Sequence, residues 1–174
     1  MLKLIISLYV YLIFIVIANE LDSDFLICRK CGHKISHVRD AFYIKSPYAI
    51  RTWNETLFDS DNYKTSQQSI KPDIYSSLYQ TIQLVKNPHG NKFQLITLRK
   101  ADLLLMNETK SLQDTWFPKF KWIIGVCSHC FTHLGWYFES IENNQDGFYG
   151  LIVDNLINEN YADGLIVQPK FKTS

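Results

Sequence analysis

Apolar and polar positions divide the chain into three stretches of different character. From Leu4 to Ile17 the sequence is apolar apart from Ser7 and two tyrosines, with Lys3 before it and Ala18 after it. This is the layout of a secretory signal peptide, with Val16 and Ala18 three and one residues before a cut ahead of Asn19. At about 15 residues the run falls short of the roughly 20 that cross a bilayer as a helix, so a cleaved leader over residues 1–18 is expected rather than a retained anchor. The middle stretch, Ala41 to Pro88, is rich in Ser, Asp, Asn, Gln and Tyr. Within it Ile74, Tyr75, Leu78, Tyr79 and Ile82 follow the spacing of a helix face, while their β-branched and aromatic content suits a strand; the pattern leaves both open. From Phe93 onward short β-like runs dominate: Phe93 to Leu98, Trp122 to Val126, Leu134 to Ile141, Phe148 to Val153 and Leu165 to Val167. Asn143 to Gly147 predicts a turn between two of them. With no internal repeat, heptad or low-complexity tract, residues 19–174 read as one mostly β domain.

Composition adds two exclusions. Hydrophobic residues make up 47% and charged ones 20%, enough apolar content to close a core, so the chain is no disordered tail. Lys and Arg total 18 against 17 Asp and Glu, and removing Lys3 with the leader leaves the two balanced. Binding to nucleic acid is therefore not expected, nor is a stable membrane anchor after leader cleavage. Two sequons, Asn54-Glu55-Thr56 and Asn107-Glu108-Thr109, could carry glycans in the secretory pathway. Beside the leader they predict a secreted or lumenal glycoprotein with Asn54 and Asn107 at its surface.

The four cysteines form two pairs of one spacing, Cys28-Arg29-Lys30-Cys31 and Cys127-Ser128-His129-Cys130. Two residues between thiols let one tight turn present both sulfurs to one ion, and two such turns complete a tetrahedral zinc site. An even cysteine count in a secreted chain equally suits disulfides, and two bonds across the pairs would staple the same segments. Spacing alone leaves both readings standing. His33, His129 and His133 lie near the knuckles as substitute ligands, as outer hydrogen-bond donors or as ordinary surface groups.

Three of the four tryptophans lie close to the second knuckle: Trp116, Trp122 and Trp136, with Phe138 just beyond. By composition they are packing around the knuckle. Their order says more. Trp116-Phe117-Pro118-Lys119-Phe120-Lys121-Trp122, then Cys127-Ser128-His129-Cys130, then His133-Leu134-Gly135-Trp136-Tyr137-Phe138 resembles the CULT domain family, the thalidomide-binding domains of cereblon type. Asn87-Pro88-His89-Gly90, the Cys28 pair and Phe148-Tyr149-Gly150-Leu151 extend the resemblance from about Cys28 to Leu151. The chain departs from the family between Cys31 and Asn87, where it is longer, so an insertion is expected over roughly residues 45–80; Trp53 and Asn54 fall in it.

The resemblance implies a β-tent, two antiparallel sheets pinned by one structural zinc on Cys28, Cys31, Cys127 and Cys130. It implies an aromatic cage in which Trp116, Trp122 and Trp136 are walls and Phe138 the floor or fourth side. The ligands of such cages are cyclic imides such as glutarimide, and uracil-like rings or protein ends bearing a cyclic imide are related candidates. The main-chain groups of Asp114 and Trp116 would face the imide edge, with Asn87 approaching from its loop. Asp114 stands where the family has histidine, and its carboxylate is either a ligand contact or a solvated turn group. A methylated ammonium is a second ligand class for such rings.

B-type methionine sulfoxide reductases share this scaffold but need a nucleophilic cysteine besides the zinc ligands. Here all four cysteines are committed, so the expected function is non-enzymatic binding. Within the family, a role in a ubiquitin ligase depends on a Lon-like domain and an adaptor-binding region for which this chain has no room, so ubiquitin-ligase partners are not expected. The alternative is a structural or protein-interaction module whose tryptophans are buried and whose insertion, with Trp53, is the working surface.

Overall fold

The computed structural model describes residues 25–56, 79–106, 109–159 and 162. The leader, Asn107, the Ile74 to Leu78 part of the ambiguous run and the Leu165 to Val167 run lie outside them. Among the described residues there are ten strands: β1 (Phe25–Cys28), β2 (Lys34–His37), β3 (Arg51–Thr56), β4 (Tyr79–Lys86), β5 (Lys92–Leu98), β6 (Leu103–Leu105), β7 (Phe120–Cys127), β8 (His133–Ser140), β9 (Gly147–Ile152) and β10 (Leu156–Asn158). They form two antiparallel sheets, a small one ordered β10-β1-β2 and a large one ordered β3-β4-β5-β9-β8-β7-β6. The mostly β, two-sheet architecture expected from the sequence is the one observed.

Turn chemistry closes the hairpins where the sequence placed them. Between β8 and β9, the Asn143 side-chain carbonyl accepts the Gln145 N–H at 3.1 Å and the Asn143 main-chain carbonyl accepts the Asp146 N–H at 3.0 Å. Between β4 and β5, Gly90 takes φ +88° and donates to the Asn87 carbonyl, while the Asn87 side-chain oxygen accepts the Asn91 N–H at 2.9 Å. Asn87 is thereby fixed in place.

The described ends of the expected insertion are sheet. β3 pairs with β4 in the register Arg51↔Leu84 through Asn54↔Thr81, and forms one edge of the large sheet. Ile82 is fully buried in β4, so the helical spacing of that run is overridden by pairing with β3 on one side and β5 on the other. Asn54 is exposed on β3, its side-chain oxygen accepting a hydrogen bond from the Thr81 hydroxyl at 2.9 Å. The segment before β3 is fastened by one buried amide: Gln83 accepts the Ser46 N–H at 2.7 Å and donates to the Ile44 carbonyl at 2.9 Å.

Apolar side chains gather in two clusters. One spans both sheets through Leu26, Ile35, Ile82, Ile96, Leu134 and Leu151. The other lies under the large sheet, where Phe117, Phe138 and Phe148 meet at ring separations of 4.8–5.1 Å. Each such ring, fully buried, contributes about 1.5–3 kcal/mol.

One backbone approach is too tight for any side chain. Gly135 in β8 has φ +149°, and a Cβ there would stand 2.1 Å from the Gly150 carbonyl oxygen. Gly90 has a similarly glycine-favouring backbone but open space around it. Gly135→Ala is expected to destabilise the domain by about 3 kcal/mol or more through overpacking against immovable backbone. Gly90→Ala should cost only about 1–2 kcal/mol of backbone strain. Urea unfolding of the two variants checks the difference.

Candidate functional site

Both cysteine pairs sit in tight turns of the same construction. In the first, the Gly32 N–H donates to the Cys28 carbonyl and the Cys28 N–H to the His33 carbonyl, both at 2.8 Å. In the second, Phe131 donates to Cys127 at 3.0 Å and Cys127 to Thr132 at 2.9 Å. The residue four places after the first cysteine is left-handed in each, Gly32 at φ +74° and Phe131 at φ +57°. The first turn joins β1 to β2 in the small sheet, the second joins β7 to β8 in the large one, and together they bring four sulfurs within 4.8 Å of one another.

The sulfur spacing separates the two readings of the cysteines. Cys28 and Cys130 stand 3.6 Å apart, as do Cys31 and Cys127, and all four are free. A disulfide needs about 2.05 Å. A tetrahedral ion with bonds of about 2.3 Å gives sulfur–sulfur edges of about 3.8 Å. The four thiols could therefore hold a metal ion, and their softness suits zinc. The Thr132 hydroxyl, 3.2 Å from Cys130 Sγ, and its backbone N–H hold the Cys130 pKa down at about 6. At Cys31 the His33 N–H pulls downward, but desolvation and the neighbouring sulfurs win and push it to about 12. Such a cluster sheds one proton readily and resists full ionisation until a cation offsets the crowded charge.

The three nearby histidines stand outside this cluster. His33 Nε2 lies 2.8 Å from Asp102 and 3.0 Å from Ser128, and its ring stacks on His129 at 3.9 Å. His133 donates Nε2–H to the Gly135 carbonyl at 3.0 Å, and burial pushes its pKa down, so the neutral ring is favoured.

Strand periodicity builds the aromatic site. Trp122 and Ile124 alternate along β7 and pair with Phe138 and Trp136 of β8, so these four side chains share one face of the hairpin. Gly150 of β9 pairs with Trp136, and a Cβ there would lie 2.9 Å from the Phe138 ring, which is why that ring can lie against the sheet. Trp116 enters from the loop before β7 and meets Trp136 edge to face at 4.9 Å, 85° between planes. Phe93 of β5 closes on Trp136 at 5.1 Å.

These groups surround a cavity of about 580 Å³ lined by all six ring-site residues expected from the sequence: Asn87, Asp114, Trp116, Trp122, Trp136 and Phe138. Phe93, Ile124 and His133 also line it and were not singled out for it. Ile124 could have been found from the period of two after Trp122; nothing in the sequence marks Phe93, whose place depends on β5 lying next to β9. Trp116 and Trp136 are 9% and 7% exposed and belong to the second core cluster, so packing and cavity wall are one role. The Trp116 indole donates to the Lys86 carbonyl at 3.0 Å and that of Trp122 to the Gln113 carbonyl at 2.8 Å. Asp114 holds φ +54° in the intervening turn, exposed and without an ion-pair partner among the described residues. Among those residues the Trp116 main-chain N–H, the Asp114 carbonyl and the Asn87 side-chain NH2 group also have no hydrogen-bond partner.

No family model matches the chain. Individual proteins do. Protein cereblon of Danio rerio is 34% identical over 84 residues, 47% of this chain and 20% of that protein. Protein cereblon of Xenopus tropicalis is 34% identical over 84 residues, covering 47% and 19%. Protein cereblon of Drosophila erecta is 24% identical over 132 residues, covering 75% and 17%. The chain thus spans about a fifth of the length of the relatives it matches. These matches overturn one expectation. Since the relatives are cereblons, the ubiquitin-ligase proteins of this family, the exclusion of ubiquitin-ligase partners does not stand. It rested on the length of the chain and on a secretory destination, and neither fixes what the domain docks against. The ordered motifs, the two-sheet fold, the four-sulfur cluster and these matches together support a likeness to the cereblon-like CULT domain family.

Proposed function

We propose that the cavity is a binding site for a small cyclic imide or related ring, and that the domain works as a binder and not as an enzyme. One observation carries the reading: three tryptophans and Phe138 line a single cavity beside main-chain and amide groups that have no partner among the described residues. An imide edge presents acceptor, donor, acceptor. The Trp116 N–H and the Asn87 amide are donors, and the Asp114 carbonyl is an acceptor, so the wall offers the complement. Each hydrogen bond made in such a site contributes about 0.5–1.5 kcal/mol, and a ring that leaves them unmade is penalised more. Glutarimide, a uracil-like ring and a protein end bearing a cyclic imide share that edge. With Cys28, Cys31, Cys127 and Cys130 all in one cluster, no cysteine among them is left as a nucleophile.

The second reading, tryptophans as packing alone, is favoured by the burial of Trp116 and Trp136 in the second core cluster. A titration separates the two. Glutarimide added to folded, zinc-loaded protein is expected to shift tryptophan fluorescence saturably, and a flat response would defeat the binding reading. Trp122 is only half-buried, so Trp122→Ala should abolish the response while costing about 1–2 kcal/mol of stability. Global unfolding of that variant would assign the ring to the core.

We further propose one structural zinc on the four thiolates, fastening the small sheet to the large one. Elemental analysis is expected to give one zinc per chain, with the thiols shielded from alkylation until a chelator is added. Since thiolates bind metal and thiols do not, zinc is held at neutral pH and lost on acidification, and loss should unfold the domain because metal affinity is folding free energy. A secretory destination is proposed from the leader and sequons. A glycosidase-sensitive mass increment, absent in Asn54→Gln, is the expected mark at Asn54.

A further inference from the structure

Beside the cage lies a second, open groove of about 570 Å³. It shares Asn87, Pro88, Asp114 and Trp116 with the cage, so the two compartments meet across one wall. Its other sides come from Tyr48, Lys86, Leu112 and Thr115. Tyr48 belongs to the segment ahead of β3, within the stretch where this chain departs from its family.

The groove is preformed. Ser46, 1% exposed, donates its hydroxyl to the Trp116 carbonyl at 2.6 Å and accepts the Tyr48 N–H on the same oxygen at 3.2 Å. Its own N–H is held by Gln83. Lys86 ends β4, and its carbonyl is fixed by the Trp116 indole. The turn bearing Tyr48 and the strand end bearing Lys86 are thus tied to the same cage tryptophan. Two apolar side chains are left open to solvent there, Tyr48 at 59% and Leu112 at 54% exposure. The exposed Lys86 ammonium has no carboxylate in ion-pair reach among the described residues.

We infer that this groove is a second subsite of the cage, taking a flat apolar arm that extends from the caged ring and ends in an anionic group at Lys86. The inference rests on the cage reading and adds a specificity to it. Tyr48 and Leu112 supply faces for the arm. Charge sets its polarity. Asp114 and Lys86 both line the groove, and an anion is repelled by the first and attracted by the second, so the negative group of the arm sits toward Lys86 and away from Asp114. The ligand class is then a ring imide with an aromatic acid substituent, not the bare ring.

The test compares unsubstituted glutarimide with glutarimides bearing a benzoate, a benzamide or a benzylammonium arm, using tryptophan fluorescence of the zinc-loaded full chain. The benzoate arm is expected to bind about three- to fivefold tighter than the benzamide arm, the size of one exposed ion pair. The ammonium arm should bind more weakly than either. Lys86→Glu should reverse the order of benzoate and ammonium. Tyr48→Ala and Leu112→Ser should each weaken all three armed ligands about threefold or more through lost apolar contact, leaving bare glutarimide unchanged. If bare glutarimide binds and the arms add nothing, or add the same in the groove variants, the subsite is refuted and the cage stands. If bare glutarimide does not bind to folded, zinc-loaded protein, both fall together.

Discussion

The pairing register of β7 with β8 is the constraint on which the rest of the molecule depends. Along this hairpin Trp122 faces Phe138 and Ile124 faces Trp136, and the turn at its end carries Cys127 and Cys130. A slip of one residue would send the cavity-lining rings to the opposite face of the sheet and pull the second cysteine pair away from the first. The register shift between Gly125 and Val126 lets both requirements be met on one strand pair. Gly135, in β8 itself, enforces the arrangement against the neighbouring β9, since only a residue without a side chain lets β8 pass so close to Gly150.

The same rings serve packing and cavity. Trp116 and Trp136 are buried in an aromatic cluster with Phe117, Phe138 and Phe148, and the indoles of Trp116 and Trp122 are anchored through their N–H groups to main-chain carbonyls. Walls held by core packing cannot relax into the space between them, so the cavity persists instead of collapsing. The loops around it are equally fixed: Asn87 by its own turn, Ser46 by Gln83 and Trp116.

Much of this was legible beforehand, for identifiable reasons. The strands β5, β7, β8 and β9 announced themselves by β-branched and aromatic runs, and the turn before β9 by Asn143 to Gly147, whereas the three-residue strands β6 and β10 were too short to stand out. The six residues singled out through the order of motifs line one cavity in the structure. Periodicity failed at Ile82, where helix-like spacing lost to pairing on both strand edges. Ser46 and Gln83 carried no signal at all, because a buried amide that ties a loop to a strand looks like any polar residue in a polar stretch. Phe93 escaped for a related reason: its place comes from β5, which lies next to β9 in the sheet and is distant in the chain from the β7–β8 hairpin.

Residue identity and spacing by themselves determined the tight turns, the strand-forming runs, the two matched cysteine pairs and the alternation that puts Trp122 with Ile124 and Trp136 with Phe138 on common faces. Each is a local property, set by backbone sterics and a repeat of two within one strand. What only the tertiary structure decided is that the paired cysteines stand as four free sulfurs 3.6 Å from their partners instead of as disulfides, and that Trp116, Phe93 and the hairpin rings close on one space. Those outcomes depend on distances between segments up to a hundred residues apart, which are fixed by strand order and core packing and leave no periodic trace in the chain.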